Sequence, residues 1–88
     1  MLVVATPSFN KDISKLKDGA IAARLEKIIL RMQQVESVSE LSSVKKLSGA
    51  TNAYRIRIAD YRLGFTVVEN TIRLVILAHR REIYRFFP

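Results

Sequence analysis

The stretch Ala53-Tyr54-Arg55-Ile56-Arg57-Ile58-Ala59-Asp60-Tyr61-Arg62-Leu63-Gly64-Phe65-Thr66-Val67-Val68 decides how this 88-residue chain is read. Its period is two. Tyr54, Ile56 and Ile58 alternate with Arg55 and Arg57, which is how a strand with one buried and one wet face is written. Ala59-Asp60 stands where a tight turn reverses the chain. Tyr61, Leu63, Phe65 and Val67 then carry the apolar side onward, with Arg62, Gly64 and Thr66 on the other. Glu69-Asn70 marks a second turn, and residues 72–78 are apolar on both faces, as a central strand requires. The region from about 53 to 79 is therefore expected to be an antiparallel three-strand meander.

Toward the N-terminus the period lengthens. Residues 2–5 read as a short apolar strand, and Thr6-Pro7 suits a helix start: a threonine cap, then a proline that needs no amide hydrogen. Phe9, Ile13 and Leu16 follow at spacings of four and three, and Asp18-Gly19 breaks that helix. From about Ala20 a longer helix carries Ile21, Leu25, Ile28, Ile29, Met32 and Val35 on one stripe, leaving Arg24, Glu26, Lys27 and Arg31 off it. Residues 37–52 are serine-rich and read as irregular, ending in a turn at Ser48-Gly49-Ala50-Thr51-Asn52. The predicted whole is an α+β domain over residues 1–88 in the order β-α-α-β-β-β. A helical hairpin, about 7–36, packs on one face of a twisted antiparallel sheet.

Composition narrows the function classes. There is no cysteine and one histidine, so disulfides and thiolate metal sites are excluded and no cofactor or metal is expected. The opening Met1-Leu2-Val3-Val4-Ala5 is too short for a signal core, and no stretch nears the ~20 apolar residues of a membrane helix. A cytoplasmic chain without membrane attachment is the expectation.

The net charge of +7 is unevenly placed. Residues 1–43 hold six basic and five acidic side chains, whereas residues 44–88 hold nine basic and three acidic. Seven of those nine are arginines, whose planar forks grip phosphate oxygens and stay charged in almost any surroundings. Alternation sets Arg55 and Arg57 together on the face away from the core, Arg62 joins them from the next strand, and Arg80 reaches the same surface from its rim. Asp60 and Glu82 are the only acids close by in sequence. Such a face is expected to meet a polyanion. His79 falls on the side opposite Arg80, with Val75 and Leu77, and is read as structural. Tyr84, in the aromatic company of Phe86 and Phe87, is either a packing residue or one that stacks on a base or works beside a phosphate.

The segments Val44-Lys45-Lys46-Leu47-Ser48-Gly49, Tyr54-Arg55-Ile56-Arg57-Ile58-Ala59-Asp60-Tyr61-Arg62-Leu63 and Ala78-His79-Arg80-Arg81-Glu82-Ile83-Tyr84-Arg85, in this order, resemble the RelE/ParE toxin superfamily. The resemblance implies a type II toxin in a hetero-oligomer with an acidic, RelB-like antitoxin. In the RelE branch it implies a cytoplasmic endoribonuclease that enters the ribosomal A site and cuts messenger RNA without a metal. The positions matching that branch's working groups are Arg55, Arg57, Arg62, Arg80 and Tyr84, with Lys45, Lys46, Arg81 and Arg85 as further RNA contacts. Some family nucleases carry lysine at the positions of Arg55 and Arg57, and arginine, unlike lysine, does not accept a proton near neutral pH. The ParE branch implies the alternative, a DNA gyrase inhibitor that cuts nothing. A module that binds nucleic acid without chemistry is a third reading of the same arginine face.

Overall fold

A computed structural model describes residues 1–49 and 51–82. Five strands form one sheet in the order β1-β5-β4-β3-β2, with β1 Leu2–Ala5, β2 Val44–Lys46, β3 Ala53–Ile58, β4 Tyr61–Val68 and β5 Thr71–His79. Two helices, α1 Pro7–Lys15 and α2 Gly19–Gln34, connect β1 to the rest. The expected α+β arrangement is found, with the hairpin and the meander at the anticipated places.

Local chemistry fixes the helix ends. Thr6 Oγ1 accepts the amide of Phe9 at 3.3 Å, and Pro7 occupies the first turn. Asp18 caps α2, its carboxylate accepting the amides of Ala20 and Ile21 at 3.0 and 3.2 Å. A cap of this kind is worth about 1 kcal/mol. The apolar stripe of α2 then enters the core: Ile21, Leu25, Met32 and Val35 are buried, while Ile28 and Ile29 pack at its margin. They meet Phe9 of α1 and the sheet residues Ile56, Ile58, Leu63, Phe65, Ile72, Leu74 and Leu77. All helix–sheet burial is therefore on one face of the sheet.

Two features differ from the sequence reading. The sheet is mixed, because β1 runs parallel to β5, Leu2 beside Thr71 through Ala5 beside Leu74. Four residues of a strand cannot announce the direction of a partner some 70 positions away. The supposedly irregular segment also contains a 3-10 turn, Val38–Glu40, held by a capping box between Ser37 and Glu40, and the short strand β2. Val44-Lys45-Lys46 has one apolar residue and no period, so pairing with β3 is what makes it a strand.

Strand β5 outruns β1. Past Leu74 its edge is satisfied by side chains from α1: Ser8 Oγ donates to the Val75 carbonyl at 2.7 Å, and Asp12 Oδ2 accepts the Leu77 amide at 3.0 Å. A bulge between Gly64 and Phe65 opposite β5 shifts the register there. The face of the sheet away from the helices has its own small apolar cluster, in which Leu47 and Ala53 pack against Val75, Ile76 and Ala78. This explains why β5 reads as apolar on both sides.

Candidate functional site

The cationic residues sit on the helix-free face, and strand register shows how closely. Arg57 lies directly opposite Arg62, and Arg55 lies directly opposite Lys45 on its other side. Directly opposed side chains have Cβ atoms about 4.5–5.5 Å apart, and like charges so placed destabilise a sheet. Two such pairs stand side by side. Arg62 is in turn opposite Ala78, two residues before Arg80, so alternation carries Arg80 to the same side beyond a small neighbour.

The turn between β3 and β4 organises this end of the face. Ala59 has a φ of +53° and Asp60 does not share the positive sign, the pattern of a type II′ turn, where glycine is the usual first residue. Arg62 folds back onto the turn: its Nη1 donates to the carbonyls of Ala59 and Tyr61 at 2.8 and 2.9 Å. The carbonyl of Asp60 accepts the backbone amide of Arg80 at 2.7 Å. One strained turn thus fixes both the guanidinium of Arg62 and the main chain that carries Arg80. The sequence gives no sign of this anchoring, because alanine at a left-handed position has no signature.

Asp12, Asp18 and Glu40 each accept backbone amides, and among the described residues no ion pair relieves Arg55, Arg57, Lys45 or Arg80. Arg55 is half-buried, and its Nε is a buried donor without a hydrogen-bond partner. An unmet charged donor costs more than a neutral one, and an anionic oxygen would satisfy it. Ser43, Val44, Lys45, Arg55 and Arg57 line a hollow of about 290 Å³ on this side.

The remaining predicted residues are divided. Lys46 pairs with Tyr54 and so points to the face opposite Lys45, away from the cluster. Arg81 is exposed in the turn after β5, its amide donating to Nδ1 of His79 at 3.3 Å. His79 lies opposite Tyr61, with ring centroids 6.0 Å apart and edge-on, in keeping with a structural role. Tyr84 and Arg85 lie outside the described residues. Among the described residues, no three His, Cys, Asp or Glu side chains gather as metal ligands, and no helix is long and apolar enough to cross a membrane.

Comparison with known proteins agrees with this architecture. Residues 3–84 match the family described as ParE toxin of the type II toxin–antitoxin system, parDE. The chain is 37% identical to Toxin RelE3 of Methanocaldococcus jannaschii, over the whole length of both. It superposes on a chain of the RelB–RelE antitoxin–toxin complex from Methanococcus jannaschii with a TM-score of 0.82, 34% identity and complete coverage of both chains. The YoeB dimer from Staphylococcus aureus shares the fold, with a TM-score of 0.72 at 18% identity over 90% of this chain and 95% of that one. Topology, motif order and full-length similarity agree: this chain belongs to the RelE/ParE superfamily and is a RelE-like toxin of the type II toxin–antitoxin class.

Proposed function

We propose that this toxin is a metal-independent endoribonuclease that cleaves messenger RNA in the ribosomal A site and so stops translation in the cytoplasm. The observation that carries the reading is the cross-strand alignment of like charges, Arg57 opposite Arg62 and Lys45 opposite Arg55, beside an unmet donor on Arg55. A fold that holds four cations together at a cost in stability has its reason in a polyanionic ligand. Full-length similarity to a toxin named RelE favours RNA as that ligand.

In the proposed reaction the ribose 2′-oxygen forms a bond to the adjacent phosphorus and the bond from phosphorus to the 5′-oxygen breaks. A 2′,3′-cyclic phosphate and a 5′-hydroxyl result. The 2′-hydroxyl proton leaves as the new bond forms, and the departing 5′-oxygen takes up a proton. Arg62, held by two turn carbonyls, and Arg80 grip the phosphate and stabilise the charge that grows on its oxygens. Arg55 and Arg57 align the backbone, with Lys45 beside them and Arg81 and Arg85 as outer contacts; Lys46, on the other face, takes no part. Arginine does not take the proton, so Tyr84 is assigned to proton transfer or to orienting the base. In-line positioning and preorganised charge supply most of the rate.

The partner proposed is an acidic, RelB-like antitoxin in a toxin–antitoxin hetero-oligomer, since the similar Methanococcus jannaschii chain is described in complex with RelB. Opposite charge favours that association.

The family description names ParE, which favours a second reading, a gyrase inhibitor without nuclease activity. Induction of the toxin without antitoxin, followed by mapping of messenger RNA 5′ ends, separates the two. Cuts confined to translated regions and absent with Arg62→Ala/Arg80→Ala support the ribonuclease. Growth arrest with intact messages and trapped gyrase–DNA complexes supports the gyrase inhibitor.

A further inference from the structure

The cationic surface does not stop at the sheet. Pairing of β2 with β3 ends at Ile56, so Arg57 lies past the covered stretch of the β3 edge. There the hollow containing Lys45, Arg55 and Arg57 adjoins a second, of about 260 Å³, that shares Ser43 and Arg57 with it and adds Arg24 and Lys27. A third, of about 160 Å³, shares Lys27, Ile28, Ser42 and Ile56 with the second and ends at Arg31. Ser43, whose φ is +61°, turns the chain where the first two meet. On α2 the cations stand at positions 24, 27 and 31, one exposed row about 10 Å long at a rise of ~1.5 Å per residue. No acidic side chain lines any of the three hollows, and none of the six cations makes an ion pair among the described residues.

We infer that Arg24, Lys27 and Arg31 form a docking row for the phosphate backbone of structured RNA, continuous round the sheet edge with the cleavage face. The inference rests on the ribonuclease reading for the identity of the RNA, which is then ribosomal, and not for the existence of the row. An end-to-end chain of hollows rimmed by cations fits a strand of regularly spaced anions. A folded antitoxin segment calls for aliphatic anchors, and the exposed ones lie elsewhere. Leu2, Val4 and Val68, 64%, 47% and 50% exposed, share the helix-free face at the end away from Arg57 and Arg62, while Leu30 sits on α2 off the cationic row. The row contributes affinity and orientation, and the chemistry stays with Arg62 and Arg80.

The test is Arg24→Gln/Lys27→Gln/Arg31→Gln in the full chain. Glutamine matches lysine and arginine in helix propensity, and circular dichroism with a thermal melt checks that the fold is kept. Binding is measured by anisotropy over a salt series, with mRNA-programmed ribosomes, a 20-base-pair RNA hairpin and a polyglutamate peptide as probes. The triple variant is expected to bind ribosomes and hairpin at least about tenfold more weakly near physiological salt, with the log–log salt slope reduced by about two to three. Its cleavage rate at saturating ribosomes stays at the parental value, so KM rises while kcat does not move. Unchanged ribosome affinity and slope would overturn the inference while leaving the ribonuclease intact. Loss of polyglutamate binding with RNA binding untouched would overturn it as well and give the row to an acidic protein. A parent that binds RNA through this row yet cuts nothing would uphold the row and end the ribonuclease reading.

Discussion

The two faces of this sheet are made from alternate residues of the same strands, yet they obey different rules. On the helix-covered face Ile58, Leu63, Phe65 and Ile72 are completely buried against α1 and α2, and every neighbour is complementary. On the other face Arg57 stands opposite Arg62 and Arg55 opposite Lys45, with no ion pair to Arg55, Arg57 or Lys45 among the described residues and with Arg62 anchored on two turn carbonyls. Folding explains the first arrangement completely and is opposed by the second. In β3 stability is thus written at the even positions and the proposed activity at the odd ones. Substitutions on either side are expected to show opposite signs.

The largest effect belongs to the covered face. Phe65→Ala removes a fully buried ring that also stacks on Tyr54, with centroids 5.7 Å apart, and is expected to cost about 3–5 kcal/mol in urea unfolding. A loss under about 1 kcal/mol would mean the helices do not pack there as described.

Next comes the margin between the faces, where α1 completes the edge of β5. Asp12→Ala strands the Leu77 amide without its acceptor and is expected to cost about 1–3 kcal/mol. Hydrogen exchange at Leu77 reports it directly, because the effect should be confined to residues 75–79.

The smallest effect, of opposite sign, falls on the helix-free face. Arg57→Gln removes one of the two like charges opposed across β3 and β4 and is expected to stabilise the fold by about 0.2–1 kcal/mol at low salt while weakening RNA binding. The gain should shrink as salt screens the pair. Destabilisation instead would show that Arg57 has a structural partner.

These expectations mark how much was legible in the residues themselves. Alternation in 53–68 gave the meander, its turns and the common face of Arg55, Arg57 and Arg62. Thr6-Pro7 and Asp18-Gly19 gave the helix ends. What depended on distant pairing did not show. The parallel register of β1 on β5 and the existence of β2 are both set by partners, and β2 in turn decides that Lys45 joins the cluster while Lys46 faces away. The anchoring of Arg62 was hidden for another reason. It needs Ala59 at a positive φ, a conformation that alanine seldom adopts and no pattern signals.

The central claim is that the helix-free face exists for phosphate chemistry. Its most direct test is the single-turnover rate at which mRNA-programmed ribosomes are cut by the parent chain and by Arg80→Ala, each shown to be folded. Arg80 is exposed, so stability should stay within about 0.5 kcal/mol. The rate should fall about 10²–10³-fold, the usual loss on removing a donor that stabilises transition-state charge. Equal rates from the two folded proteins would contradict the account.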